Sequence, residues 1–307
     1  ASGSIGSEQP GLNIRIMRSL LANAKHKPWL VWLACIGLAG LLPWWAGEYR
    51  LFQISQFCVV AIALLGLNLI TGWCGQISLG HGAFFALGSY CSAILMLRAG
   101  IPDWATLPAA AVLCLVTGWL FGRTAARLEG LYLALASFAL AVALPQLLKH
   151  PILGYWTGGT GGLVLDAAVA PFWWPFDPAT WLYWLATGTL LLMTAVTLHI
   201  VRGRHGRAMM ALRDHPIAAA SIGIPVAAVK AKAFAVSAMY AGIAGGLSAA
   251  LVRYVGPDSF DLFLSISFLV GIVVGGLASV TGSILGAAFV QAVPHAAEHL
   301  SQEAAWA

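Results

Sequence analysis

The chain has 307 residues, 60% of them hydrophobic and 9% charged, with a formal net charge of +5. Soluble domains are about one quarter charged, so this composition cannot cover a water-facing surface, and a mean hydropathy of +0.85 implies a polytopic, all-α membrane protein. The basic excess is a topological signal read by position, and no nucleic-acid partner is expected.

Residues 1–10, rich in Ser and Gly and lacking an initiating Met, are expected to be a remnant of expression tagging and are left out of fold reasoning. The N-terminal arm 1–27 carries Arg15, Arg18, Lys25 and Lys27 and is expected to be cytoplasmic. A span needs about 20 apolar residues. The candidates are 28–46, 51–71, 82–98, 104–122, 131–148, 179–201, 233–252 and 262–281, with a shorter apolar piece from Ser283 to Val293 that stops before Pro294. This predicts about 8–9 transmembrane helices in a membrane domain 28–295, followed by a tail 296–307. Trp44, Trp45, Trp104, Trp173 and Trp174 lie at span ends, as interfacial belts require. The five cysteines, Cys35, Cys58, Cys74, Cys91 and Cys114, lie in or beside apolar runs without zinc spacing, so free buried thiols are expected.

Between the second and third spans the chain is apolar at both ends and broken in the middle. Gly72, Gly75, Gly80 and Gly82 are interspersed with Gln76, Ser78 and His81, and Asn68 precedes them, without one charge. So many glycines oppose a regular helix. Unwound backbone at membrane depth is tolerated only when buried in protein or lining a wet cavity, and such breaks build substrate paths in transporters. Asn68, Gln76, Ser78 and His81 are therefore candidate path residues. The competing reading is structural: the first three satisfy unwound backbone, and His81 is hydrogen-bonded between helices. Residues 72–82 also suit a re-entrant segment.

Residues 149–178 hold Lys149 against Asp166 and Asp177 and fall on the outer side, as do Arg253, Asp258 and Asp261. Thr157–Gly162 reads as a tight outer loop. The segment 202–232 is the second informative stretch, with Arg202, Arg204, Arg207, Arg213, Lys230 and Lys232 against Asp214. It is expected on the cytoplasmic side, an even number of spans after the N-terminal arm. Asp214 is expected to cap a short helix that has Pro216 in its first turn and Gly223 as its left-handed stop. Such a helix suits either a groove on a partner or an interface held by anionic lipid. The pairs Gly118/Gly122, Gly242/Gly246, Gly271/Gly275 and Gly282/Gly286 suit close helix packing.

The residues then reach a family. Ile217-Ala218-Ala219, three residues and Gly223 resemble the ATPase-docking Glu-Ala-Ala-x3-Gly pattern of ABC import permeases, with Ile217 in place of the acid. The wider run Gly206–Ile224, the stretch Gly66–Phe85, Thr157–Leu163 and Val274–Gly286 are similar to the permeases of branched-chain amino acid importers, of the LIV-M type that pairs with a LIV-H subunit. The resemblance runs in order from about 51 to 295. It implies an ABC importer permease fold and half of a translocation pore, completed by a sister permease subunit as a heterodimer. Two cytoplasmic ATPase subunits carry ATP and Mg, and an external substrate-binding protein delivers branched-chain or other small, mostly apolar amino acids. It further implies a bacterial inner membrane location with surrounding lipid as a partner.

On this chain the coupling role falls on Gly206, Arg207, Arg213, Asp214, Pro216, Ile217, Ala218, Ala219 and Gly223, and the path role on Asn68, Gln76, Ser78 and His81. Where the family commonly has a Thr-containing run reaching Gly-Glu, this chain reads Ser137–Val142. The family's usual last span and Arg-Pro pair are missing before Ala307, which suits a truncated or shorter member. No G-x-x-x-x-G-K-[ST] occurs, so the chain is expected to bind no ATP, cofactor or metal and to catalyse nothing. Two rivals stand beside this reading. One is a stand-alone secondary transporter or channel. The other is a permease of the same family for urea, amides or aromatic acids. His295-x-x-Glu298-His299 fits a zinc-peptidase pattern but ends a membrane segment with no evident third ligand.

Overall fold

The computed structural model describes Pro43 and residues 47–128, 130–166 and 177–304, with backbone only from 295 onward. Chain packing divides the protein into Ala1–Gly47 and Glu48–Ala307, and the elements below belong to the second unit. The predicted arm 1–27, the span 28–46 apart from Pro43, and Cys35, Trp44, Trp45, Trp173 and Trp174 lie outside the described residues, as do the side chains of His295, Glu298 and His299.

Helix α1 (Glu48–Asn68) continues as a π turn, Leu69–Trp73. Then come α2 (His81–Ala99), α3 (Asp103–Ala125) and α4 (Leu131–Leu148), followed by a short α5 (Pro151–Thr157) and a two-residue strand β1 (Leu163–Val164). Next are α6 (Pro178–Arg202), α7 (Arg204–Asp214), α8 (Pro216–Ser221) and α9 (Val226–Val252). Strand β2 (Tyr254–Val255), α10 (Leu262–Gly275) and α11 (Val280–Ala304) complete the unit. Among the described residues, seven helices are long and apolar enough to cross a membrane, and Val280–Pro294 is a shorter apolar helix.

Several boundaries differ from expectation. The span placed at 233–252 begins at Val226, so Lys230 and Lys232 belong to a helix. The span placed at 262–281 stops at Gly275, because Gly276 has φ +116°. The piece expected to end before Pro294 runs helically through that proline to Ala304. The break expected at 72–82 covers Cys74–Gly80, since Gly72 lies in the π turn and His81–Gly82 open α2.

Helix α9 is the axis of the unit, packed between α1, α2 and α3. Its neighbours come close because glycine removes the intervening side chains. A β-carbon on Gly88 of α2 would overlap the backbone of Gly242 of α9, and one on Gly245 would meet the Phe85 carbonyl. Gly118 and Gly122 of α3 face Ala238 and Phe234 of α9, and Gly271 and Gly275 of α10 face Gly286 and Gly282 of α11. All four predicted small-residue pairs are thus spent on packing within the chain. Cys58, Cys74 and Cys114 are free and buried, and Cys91 is free and half-buried.

The helix ends sort into two faces. At one, β1 pairs antiparallel with β2, Leu163 opposite Val255. There Lys149 pairs with Asp258 at 2.5 Å, Arg253 with Asp103 at 3.0 Å, and Arg253 also donates to the Asp166 carbonyl. At the other are the C-termini of α1, α3, α6 and α10, with α7, α8 and the start of α9. Arg123, Arg127, Arg202, Arg204, Arg207 and Arg213 make this end basic.

Candidate functional site

The glycine-broken stretch folds back on itself. Gln76 N–H donates to the Ile70 carbonyl at 3.0 Å, and the Thr71 hydroxyl donates to the Gln76 carbonyl at 3.1 Å. Gly75 takes φ +71°, which permits the reversal. The His81 ring then meets the Ala63 carbonyl at 2.9 Å. Helix α2 therefore restarts level with a residue ten positions before Trp73, roughly 15 Å back along α1.

A helix opening inside protein leaves backbone N–H donors without partners. Here serines from other helices accept them. Leu79 N–H donates to Ser137 Oγ of α4 at 2.9 Å and Gly82 N–H to Ser265 Oγ of α10 at 3.0 Å. Gly80 N–H donates to Ser78 Oγ at 3.4 Å. Gly80 and Gly82 let these helices approach, since an added β-carbon would meet the Ser137 carbonyl at 2.9 Å or Ser265 Oγ at 2.6 Å. Ser137→Ala should leave the half-buried Leu79 amide without this partner, at a cost of about 1 kcal/mol. Thermal unfolding of the detergent-solubilised protein measures it, and an unchanged midpoint would mean that this cap does not form.

The structure places the four candidate path residues together around this break but buries each. Asn68 makes the most bonds: its amide N–H groups donate to the Gly276 carbonyl (3.3 Å), the Ser279 carbonyl (3.0 Å) and Ser283 Oγ (2.8 Å), and its Oδ1 accepts from Ala278 N–H (2.9 Å). Its amide is spent on the turn between α10 and α11. Gln76 donates to Cys74 Sγ at 3.5 Å. Ser78 and His81 are each 2% exposed, and the His81 ring lies edge-on to Phe268. Gly75 and Ile77 are the exposed positions of the break, Ile77 at 50%.

The basic segment is mostly helical. In α7, Gly206, Met209 and Leu212 face inward, and a β-carbon on Gly206 would overlap the Val201 carbonyl. Arg207 is exposed and donates to the Arg202 carbonyl at 3.3 Å. Asp214 does not cap α8: it is the last residue of α7 and pairs with Arg213 at 3.0 Å, while His215 occupies the cap position. A side chain held by its neighbouring guanidinium is not free to reach the next amides. Pro216 does open α8, and Gly223, at φ +86°, closes it. Ile224 N–H bonds the Ala219 carbonyl and Gly223 N–H the Ala220 carbonyl, the two bonds of a Schellman stop. Ala218 is exposed and Ala219 is buried. Ile217 and Ile222 are 88% and 75% exposed.

One contact joins the two regions. Arg213 Nη1 donates to the Gly72 carbonyl at 3.1 Å. A β-carbon on Gly75 would meet Arg213 Cγ at 2.8 Å. The guanidinium thus sits on a carbonyl left over at the end of the π turn that closes α1, where the helix dipole favours a cation. Arg213 stands out in the sequence by its charge and its place in the docking-like run, with nothing to relate it to Gly72, and Ser265 and Ser283 had no local signal, because their partners are distant in the chain.

Residues 49–306 match the family described as branched-chain amino acid transport system / permease component. The chain is 32% identical over 259 residues to the high-affinity branched-chain amino acid transport system permease protein LivM of Escherichia coli strain K12, covering 76% of this chain and 60% of that protein. It has the same identity and coverage with LivM of Salmonella typhimurium. It is 27% identical over 260 residues to LivH of Escherichia coli strain K12, covering 76% of this chain and 78% of that protein. The chain therefore spans less than two thirds of the length of the LivM relatives. No solved structure matches it.

Proposed function

Because the chain belongs to the permease family of branched-chain amino acid transport systems, we propose that this multi-pass membrane protein forms half of the translocation pathway of an ATP-driven importer. A related permease subunit supplies the other half. Two cytoplasmic ATPase subunits bind ATP and Mg, and an external binding protein delivers branched-chain or similar small, apolar amino acids. The chain itself carries no catalysis and binds no cofactor. It lies in a bacterial inner membrane with its N-terminus and the basic face in the cytoplasm, in line with the distribution of Arg and Lys. The charge-free break with Asn68, Gln76, Ser78 and His81 borders the path.

The observation that carries this reading is α8. A six-residue helix with its own stop signal stands outside the spans and leaves Ile217, and Ile222 just after it, largely exposed. Uncovered isoleucines beside a basic helix have little to recommend them in water. They suit an apolar slot on a separate protein, with Gly206, Arg207, Arg213, Asp214, Pro216, Ala218, Ala219 and Gly223 shaping and supporting the projection.

The test is co-purification. The tagged chain should bring down a sister permease and ATPase subunits, and its binding protein should retain a branched-chain amino acid. Ile217→Asp combined with Ile222→Asp should release the ATPase subunits and leave the sister permease attached. Full ATPase retention by this variant would overturn the docking assignment.

A further inference from the structure

The turn joining α10 to α11 is strained. Ala278 adopts φ +56°, a left-handed conformation that costs a residue with a β-carbon, and Gly276 adopts φ +116°. What holds it is Asn68, whose Oδ1 accepts the Ala278 amide proton and whose amide bonds Gly276, Ser279 and Ser283. Asn68 is itself the last residue of α1 before the π turn, and Gly72 of that turn is packed against it. A β-carbon at Gly72 would overlap Asn68 Oδ1 and the Ala278 amide. The far side of the same glycine, its carbonyl, is held by Arg213 of α7. This π turn, Leu69–Trp73, ends α1 just before the unwound stretch, and π turns are rare and recur at functional sites.

We propose that Arg213 and Asn68 are positioning residues that transmit movement of the α7–α8 element to the α10–α11 turn, with the π turn Leu69–Trp73 as the part that yields. Arg213 is the input, gripping the Gly72 carbonyl. Asn68 is the latch, keeping the 276–279 turn in its strained form. Drawing α7 away pulls the π turn by its Gly72 carbonyl and, with it, the adjoining Asn68, so that Oδ1 leaves the Ala278 amide and the turn relaxes, freeing α10 to shift against α11. The strained turn thus supplies the two-state element that a claim of coupling requires. This rests on the reading of α7–α8 as the ATPase-docking element.

The experiment uses the whole importer with its ATPase subunits in lipid nanodiscs, in a background whose native cysteines are replaced and which still transports. Two reporters are labelled with a maleimide, with and without ATP plus vanadate: Ser221→Cys on α8 and Leu277→Cys on the turn, both exposed positions. Nucleotide should change labelling at both, by ~5-fold or more at Leu277→Cys. Adding Arg213→Met, which keeps the stem and has no donor, should abolish the response at Leu277→Cys and leave it at Ser221→Cys, whereas Arg213→Lys, which keeps a donor for Gly72, should restore part of it. Asn68→Ala should act in the opposite sense, making Leu277→Cys label fast whatever the nucleotide. A turn that still responds in Arg213→Met, or never responds while Ser221→Cys does, overturns the linkage. If neither reporter responds in the parent, the docking reading itself fails, and the linkage with it.

Discussion

Replacing Gly88 by valine is expected to leave little folded protein in detergent extracts. A β-carbon at this position would fall on the carbonyl oxygen, Cα and carbonyl carbon of Gly242. Overpacking a core usually costs ~1–3 kcal/mol, because neighbouring side chains give way. Here the neighbour is the backbone of the central helix, so α2 and α9 would have to separate. That would also undo the fit of Gly245 against Phe85 and of Gly246 against Ser92. A loss above ~3 kcal/mol is a large share of the stability of a typical domain. Gly188 of α6 is exposed with open space around it, so Gly188→Val is the control and should stay within ~0.5 kcal/mol of the parent. Fluorescence-detected gel filtration and a thermal melt decide the matter. A Gly88→Val protein that melts with the parent would mean that α2 and α9 do not meet in this register.

Gly223→Pro is expected to cut solute uptake by ~10-fold or more while the chain still folds and assembles, so that less solute moves for each ATP hydrolysed. Gly223 sits at φ +86° and donates its N–H to the Ala220 carbonyl. Proline is fixed near φ −65° and has no N–H, so it removes both halves of the stop that ends α8. Ile222 then leaves its place relative to Ile217, and the projection loses its shape. The site is open, with nothing near the Gly223 β-position, so the core is not touched. Gly223→Ala keeps the N–H and meets only the left-handed backbone cost of ~1–2 kcal/mol, and it should fall between parent and proline variant. Uptake and ATP hydrolysis measured together in proteoliposomes test the series. Unimpaired uptake in Gly223→Pro would sink the role given to α8.

The spans were legible because lipid demands long apolar helices, and hydropathy measures that directly. Their ends were less so. Lys230 and Lys232 make 226–232 look like loop, yet Val226–Phe234 is rich in helix-forming Ala and Lys and continues α9 into the basic face. The apolar run beyond Gly275 hides a turn, because hydropathy cannot register the left-handed backbone at Gly276 and Ala278. Pro294 suggested a stop, but a helix among other helices tolerates proline.

At the candidate site, the polar residues of the broken stretch announced themselves by standing in an apolar run. Their partners did not. Asn68 bonds residues more than 200 positions away, and Ser137 looked like the remnant of a missing acidic run and not like a cap for Leu79. The Arg213–Gly72 contact likewise joins residues that no spacing rule relates.

The strand pair between Leu163–Val164 and Tyr254–Val255, with the ion pairs Lys149–Asp258 and Arg253–Asp103, has a mechanical consequence. It ties the tips of α3, α4 and α9 together, so a displacement of one tip is passed to the other two. The mixed-charge rim is thus where these three helices are tied by backbone pairing and charge as well as by apolar packing.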